Sequence, residues 1–408
     1  MRGFDLLLLA FKGIAIASFP IALIWVGRAP KNGDRLRRLA WVTVFITFDL
    51  IVFGGFTRLT DSGLGCPDWP GCYAKANPLM ASQDIRSAET VMPYGPVSMT
   101  KAWIEMIHRY LAMAVGVLIV TMLAVSLRRV WKRRAARPMP DWMPAAEPGL
   151  AAGLLGLVVL QGAFGAWTVT QKLQPIFVST HLLLGLALLG FLILHALRLD
   201  GRPAAVAAPA PVPASLGLRV FAAISLAVLV LQIALGGWVS ANYAVLACSD
   251  FPKCQGVWLP EMDFSSGFHL WRELGKNADG GYLSLAALTA IHWVHRSFAW
   301  VVVIVLAALG VWARRVDGMA RPVAILWSLL AAQFATGLVN VVFAWPLVAA
   351  VLHNAGAAGL LATLVVINYR LPRPFSCAPL VHRRSTPLTA FGRSATEGSR
   401  SPRAPRPT

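Results

Sequence analysis

Long apolar runs separated by short polar segments dominate this sequence. Nine runs of roughly 18 to 25 residues, the length that crosses a hydrocarbon core of about 30 Å, lie near residues 4–27, 39–57, 103–127, 149–169, 177–197, 217–239, 284–312, 323–344 and 347–369. Barrel strands alternate polar and apolar residues over about ten positions, so these runs are too long and too evenly apolar for a barrel. The pattern therefore predicts an all-α membrane protein.

The polar segment after the second run has a counterpart later in the chain. Gly54–Cys72 (GGFTRLTDSGLGCPDWPGC) aligns without a gap on Gly236–Cys254 (GGWVSANYAVLACSDFPKC). Both segments begin with a Gly-Gly pair at a helix end and close with two cysteines that have five residues between them. Asp and Pro also occupy the same places between the cysteines. This correspondence indicates an internal duplication.

Two further matches follow in the same order. Glu105–Arg109 (EMIHR) corresponds to His292–Arg296 (HWVHR). The glutamine-to-histidine spacing is also repeated, since the glutamine precedes the histidine by twenty positions in the pairs Gln161 with His181 and Gln333 with His353. We therefore predict two four-helix transmembrane bundles, each with an even number of spans, so that the repeat is parallel and not inverted.

The domain organisation follows from the repeat. The first half covers residues 39–200 and the second covers 215–370, and a Pro/Ala-rich linker at 201–214 joins them. Residues 1–38 contain one additional apolar span and a basic loop. That span resembles a signal peptide in position, but it lacks an Ala-x-Ala cleavage pattern, and we expect a retained helix. Residues 371–408 form a basic tail that we expect to be disordered.

Charge sets the orientation. The chain is 57% hydrophobic and 13% charged, and its formal net charge is +19. Arg and Lys gather in loops that all fall on one side of the predicted topology, together with the tail, and the positive side normally stays in the cytoplasm. The C-terminus is therefore expected to be cytoplasmic. The charge is a topology signal, and we expect no nucleic-acid binding.

Four histidines repeat at one depth. His108 and His181 each lie a few residues inside spans entered from the outer side, and His295 with His353 repeat this placement. Two inward-facing imidazoles on different helices are what a six-coordinate haem iron requires. We therefore predict that these four residues are haem-iron ligands. The alternatives are a metal or proton pathway and histidines that only hydrogen-bond between helices.

The halves differ at one position beside these histidines. Glu105 precedes His108 by three residues on the same helical face, and His292 replaces it in the second half. A carboxylate at a haem face is suited to take a proton or hold water, and the alternative is a salt bridge to Arg109 or Arg58. Arg109 and the equivalent Arg296 are placed to pair with haem propionates or to extend towards the interface.

The cysteines lie in outer loops. We expect disulfides between Cys66 and Cys72 and between Cys248 and Cys254, because that compartment permits them. The first interpretation is a structural staple over the haem pocket. A redox role for Cys66 and Cys72 is the alternative.

Taken together, the segments GGFTRLTDSGLGCPDWPGC, EMIHR, NYAVLACSDFPKCQGVWLPEMDF and IHWVHR resemble the haem A synthases of bacterial membranes. The resemblance covers residues from about 39 to 370 and is to the cysteine-containing bacterial type. It implies oxidation of a methyl group of haem O to a formyl group, in an enzyme of the bacterial plasma membrane. By the same resemblance, His108 and His181 flank haem O, Glu105 is catalytic, and His295 and His353 ligate haem b.

Several partners follow from this resemblance. The oxidation needs an external electron acceptor, because no flavin or nicotinamide fingerprint is present. The farnesyltransferase that makes haem O and a second copy of this chain are candidate protein partners, and lipid surrounds the spans.

The rival hypothesis is a di-haem b electron carrier, which needs the same histidines but has no use for Glu105. A transporter would need broken helices and charges at mid-membrane, which the sequence does not indicate.

Overall fold

The structure is a computed structural model that describes residues 3–26, 35–135, 147–200 and 214–371. Most of the predicted linker, the predicted tail and parts of three basic loops lie outside these residues. The described part of the chain is helical, with three isolated β-bridges and no longer strand.

The helices follow the apolar runs. They are α1 (Gly3–Val26), α2 (Arg35–Leu59), α3 (Ser82–Val91), α4 (Met99–Ala135), α5 (Pro148–Thr170), α6 (Pro175–Leu199), α7 (Leu216–Ala241), α8 (Phe264–Gly267), α9 (Leu285–Ala313), α10 (Ala320–Val342) and α11 (Leu347–Arg370). Among the described residues, nine of these helices are long and apolar enough to cross a membrane. All nine predicted spans are confirmed. The two remaining helices, α3 and α8, are short and lie in the loops between spans.

Two sets of four helices pack in the same cyclic order. In the first set α2 contacts α4, α4 contacts α5, α5 contacts α6, and α6 returns to α2. In the second set α7, α9, α10 and α11 make the equivalent contacts. Buried leucine, isoleucine and alanine side chains fill the core of each set. These two sets of helices are consistent with the predicted halves.

The contacts between the sets are also matched. Helix α2 of the first set packs against α11 of the second, and the equivalent pair α7 and α6 also packs together. The two last helices, α6 and α11, contact each other. Exchanging the sets leaves this pattern unchanged, which is consistent with a parallel duplication related by a two-fold axis.

Helix α1 lies outside both rings. It packs along α4 and touches α2, and the close approach at Gly13 leaves no room for a Cβ atom, which would lie 2.7 Å from Cβ of Met113. The Lys12 ammonium donates to the Ala76 carbonyl at 3.4 Å and to the Tyr110 hydroxyl at 3.3 Å. The additional span is thus attached to the first half.

The two cysteine loops have one construction. Both predicted disulfides, Cys66–Cys72 and Cys248–Cys254, are present. Asp68 accepts hydrogen bonds from the amides of residues 73 and 74, at 2.6 Å each, and Asp250 does the same at the equivalent amides, 255 and 256. These amides hold the pKa of the Asp250 carboxyl below its ordinary value, because they favour the charged form. Each loop is therefore closed by a disulfide and an aspartate.

Candidate active site

A large cavity lies within the helical core, with a volume of about 980 Å³. This is at the upper end of the roughly 300–1,000 Å³ typical of small-molecule sites. Most of its lining is apolar, and it reaches all four predicted ligands, His108, His181, His295 and His353. The structure therefore brings to one cavity the histidines that the sequence singles out.

A glycine on the neighbouring helix faces each of these imidazoles. A Cβ atom added at any of the four glycines would lie 2.9 to 3.2 Å from the Cε1 atom of the facing ring, closer than almost all real Cβ contacts. The pairs are Gly54 with His108, Gly165 with His181, Gly236 with His295, and Gly337 with His353. Each imidazole occupies the space that a larger residue would fill.

The second glycine of each Gly-Gly pair contacts the opposite half. A Cβ atom at Gly55 would lie 2.2 Å from the Asn354 amide nitrogen, and one at Gly237 would lie 2.9 Å from a methyl group of Leu182. Asn354 and Leu182 directly follow the histidines of α11 and α6. In each repeated Gly-Gly pair, the first glycine leaves room for a histidine of its own half. The second glycine lets a helix of the other half approach closely. The sequence displayed this pair, but its spacing alone did not reveal these contacts.

Glu105 is buried at the cavity wall, with 4% of its surface exposed. One carboxylate oxygen accepts the backbone N–H of Cys66 at 2.7 Å, and the other accepts a hydrogen bond from Arg109. The carboxylate is thereby tied to both the cysteine loop and its own helix. Two oxygens offer about four lone-pair positions, so Glu105 retains capacity to accept a proton or a water hydrogen.

His292 makes the equivalent contact in the second half. Its Nδ1 atom accepts the backbone N–H of Cys248 at 3.3 Å, as Glu105 accepts that of Cys66. Both residues therefore hold the first cysteine of a loop against a helix. They differ in chemistry, because only the carboxylate carries negative charge and proton-accepting capacity beyond this one bond.

The arginines after the ligand histidines bind the loops. Arg109 donates to the carbonyls of Asp68, Pro70 and Gly71, and Arg296 donates to the two carbonyls equivalent to the last two of these. One terminal nitrogen of Arg296 is buried without a hydrogen-bond partner in the described part of the chain, and Arg296 lines the cavity. Arg58, the other cation considered for Glu105, instead pairs with Asp61 at 3.3 Å. The salt bridge to Arg109, which the sequence offers as the structural alternative for Glu105, is present.

The imidazoles of the two halves have different partners. In the second half, Nδ1 of His353 lies 3.0 Å from the Thr336 hydroxyl, and Nδ1 of His295 lies 3.3 Å from the Gln232 amide. In the first half, Nδ1 of His108 and of His181 is buried without a partner among the described residues. Gln161 donates to the His181 carbonyl at 2.9 Å, and its amide nitrogen lies 3.5 Å from Nε2 of His181.

These residues fit a haem. The cavity has the volume and apolar lining for a planar macrocycle, and unpartnered imidazole atoms border it. In the described ranges, no group of three or more His, Cys, Asp or Glu side chains could hold a bare metal ion. Two axial imidazoles are enough for a haem iron, since the macrocycle supplies the other four ligands.

Comparison with known protein families identifies one that matches most of this chain. The sequence model of the COX15-CtaA family, described as a cytochrome oxidase assembly protein, matches residues 37–365 of this chain. The chain belongs to the COX15-CtaA family. The matched region includes all four histidines, Glu105 and both cysteine loops, and α1 lies outside it.

Curated relatives agree with the COX15-CtaA assignment. The heme A synthase of Shewanella oneidensis is 38% identical over 338 residues, which cover 82% of this chain and 97% of that protein. The heme A synthase of Caulobacter sp. is 30% identical and covers 84% of this chain and 98% of its own length. That of Rhizorhabdus wittichii is 26% identical, with coverages of 85% and 96%.

Proposed function

We propose that this chain is a haem A synthase that oxidises a methyl group of haem O to a formyl group. Membership of the COX15-CtaA family and similarity to heme A synthases over most of the chain support this function. The observation that carries the chemical assignment is the single buried carboxylate in a duplicated site. Glu105 borders the cavity in one half, and His292 occupies its place in the other.

The first half is proposed to bind haem O between His108 and His181. Gly54 and Gly165 leave space for the two rings, and Glu105 lies on the same helix as His108. The role of Glu105 is to accept a proton from the reacting carbon substituent or to orient water, while the Cys66 amide and Arg109 hold its carboxylate in place. This support fixes the orientation of the base before substrate arrives.

The second half is proposed to hold haem b through His295 and His353. Haem b supplies one-electron transfer when bound. Gly236 and Gly337 leave room for the two rings, and the unpartnered nitrogen of Arg296 is available to a propionate. Arg109, by contrast, already donates to Glu105 and to three loop carbonyls. To bind a propionate as well, its guanidinium must share its N–H donors between these groups and the propionate.

The reaction balances with water and an external acceptor. Conversion of the methyl group to a formyl group adds one oxygen from water and releases four electrons and four protons, with an alcohol and a gem-diol between. The protein's residues bind, orient and take protons, and an external oxidant must accept the electrons. We place the protein in a bacterial plasma membrane with its C-terminus in the cytoplasm, as the basic loops indicate. Association with the haem O-forming farnesyltransferase or with a second copy remains compatible with this topology.

The experiment is haem extraction and chromatography. The chain is expressed in a bacterial host that makes haem O but has no haem A synthase of its own. Haem A in the membranes, absent from the empty-vector host, is the expected result. If the purified protein holds only haem b and haem O is never converted, the di-haem electron carrier replaces this proposal.

A further inference from the structure

The second half differs from the first at the two residues that contact its imidazoles. Aligning each glutamine with its counterpart, QGAFG at 161–165 corresponds to QFATG at 333–337, so Thr336 stands where the first half has Phe164. Aligning the Gly-Gly pairs places Gln232 opposite Leu50. Both polar residues of the second half are therefore replaced by apolar ones in the first.

We propose that Thr336 and Gln232 are positioning residues that hold the second-half imidazoles by their Nδ1 atoms and lower the reduction potential of the haem bound there. The proposal rests on the proposed function, which assigns haem b to this half. It concerns neither Glu105 nor the conversion of haem O.

The hydroxyl of Thr336 has the geometry of an acceptor. It donates its own proton to the Ala332 carbonyl at 2.9 Å, and its lone pairs lie 3.0 Å from Nδ1 of His353. An imidazole that binds iron through Nε2 carries its proton on Nδ1 and needs such an acceptor. Thr336 therefore selects the tautomer in which Nε2 is free to bind iron.

Gln232 is placed to act similarly on His295. Its amide nitrogen lies 3.3 Å from Nδ1 and 3.2 Å from the carbonyl of His295, and its side-chain oxygen is buried without a partner in the part of the chain that the structure describes. A half-turn of the amide about its last bond presents that oxygen to Nδ1. The Nδ1–H group then gains an acceptor, in exchange for the bond that the amide nitrogen donates to the His295 carbonyl.

A hydrogen bond from Nδ1–H makes an imidazole a stronger electron donor to its metal. A stronger donor stabilises ferric over ferrous haem and so lowers the reduction potential. It also strengthens ligation, since losing an outer partner typically weakens metal binding about 10- to 100-fold. In the part of the first half that the structure describes, Nδ1 of His108 and of His181 lacks such a partner, and the Gln161 amide lies 3.5 Å from the other ring nitrogen of His181. Imidazoles without an Nδ1 acceptor suit a site that must release its haem as product.

The test measures the potential of the haem retained in purified holoprotein. We expect Thr336→Val to move the ferric–ferrous equilibrium about tenfold towards ferrous haem, an upward shift of about 59 mV for one electron. Thr336→Ser, which keeps the hydroxyl, should restore the original value. Thr363→Val is the matched control, because Thr363 bonds only the Gly359 carbonyl of its own helix and does not line the cavity.

A second variant provides the measurement if Thr336→Val loses its haem during purification. Gln232→Leu installs the first-half residue and is also expected to raise the potential and speed haem release about tenfold. An unchanged potential in both variants, with bound haem at the wild-type level, overturns the inference and leaves the synthase proposal intact. If wild-type protein carries no bis-histidine haem, the proposed function itself fails.

Discussion

Each imidazole at the cavity depends on a glycine, and this dependence is testable one residue at a time. Alanine ordinarily favours a helix over glycine by about 1 kcal/mol, so a Gly-to-Ala change within a helix should stabilise the chain if nothing else intervenes. At Gly54 and Gly236 the added Cβ would lie 2.9 Å from the facing imidazole, and that ring would have to move.

We therefore predict that Gly236→Ala lowers the haem b content of the purified protein. Gly54→Ala should leave haem b in place and reduce haem A formation, by about 10- to 100-fold if the ring moves by 1 Å. Haem spectra and extraction measure both effects. Gly153→Ala is the control on α5, since a Cβ there meets nothing within 4 Å. Equal effects at Gly54 and Gly153 would show that the imidazole contact is not the cause.

At this scale the sequence identified the ligand candidates but not their surroundings. The four histidines and Glu105 stand out because a polar residue within an apolar run is rare and these recur in register. The bond from the Cys66 amide to Glu105 joins residues 39 positions apart, so only the folded loop brings them together. The contact of Thr336 with His353 could not be predicted for another reason, because threonine hydroxyls in helices usually hydrogen-bond to their own backbone.

Among the elements, the cysteine loop is the part whose role has two interpretations. Its backbone supplies the amide that fixes Glu105 and the carbonyls that fix Arg109, which favours a structural role. Asp68 closes the same loop without involving sulfur, by accepting two backbone amides at 2.6 Å each.

This construction predicts that Asp68→Ala reproduces the effect of the double change Cys66→Ser with Cys72→Ser. Both should reduce haem A formation about 10- to 100-fold through misplacement of Glu105, with haem b retained. Yields are compared by extraction from equal amounts of purified protein. Full activity of Asp68→Ala beside an inactive serine double variant would favour redox participation of the cysteines.

Helix α1 offers a second prediction among the elements. Lys12 links it to Tyr110 of α4 and to the loop at Ala76. Replacing Lys12 with Met should remove about 1 kcal/mol of stability per lost hydrogen bond and lower the thermal midpoint by a few degrees. Ser18→Ala, which affects a bond within α1 alone, is the control. Equal midpoints for Lys12→Met and wild type would show that this attachment contributes nothing.

The elements themselves were largely predictable. In the described part of the chain, nine helices correspond to the nine apolar runs, because the length needed to cross a bilayer leaves little choice of structure. The helices α3 and α8 were not predicted, since short polar segments carry no periodic signal and depend on the loops around them. The position of α1 against α4 was also beyond the sequence, because α1 has no counterpart in the repeat.

Across the whole molecule, the two halves meet through a polar cluster as well as through α6 and α11. Arg58 donates to the Ser240 carbonyl at 2.6 Å and lies over the Tyr243 ring, and the Tyr243 hydroxyl donates to Asp61 at 2.6 Å. Tyr243 follows α7 outside the span. Partial burial raises the pKa of its hydroxyl above the ordinary value, and the bond to Asp61 adds to this rise.

A raised pKa in the folded state determines the direction in which stability changes with pH. The neutral hydroxyl stabilises the folded chain fully below its ordinary pKa of about 10, and this contribution is lost as the pH rises through the folded value. The thermal midpoint of wild type should therefore exceed that of Tyr243→Phe by a constant amount at neutral pH, and the difference should shrink above about pH 10. The exposed Tyr282 provides the control, as Tyr282→Phe should show no difference. A difference that persists at high pH would contradict this account.

We propose that the protein oxidises haem O in its first half only, because only that half has a carboxylate beside its imidazoles. The most direct measurement compares haem A formation by Glu105→Gln and His292→Gln in membranes that contain haem O. Glutamine retains an oxygen for the Cys66 or Cys248 amide, so the loops should stay in place. We predict that Glu105→Gln lowers haem A formation by about 10²- to 10⁴-fold with haem b retained, whereas His292→Gln still converts haem O. Full conversion by Glu105→Gln would contradict the account.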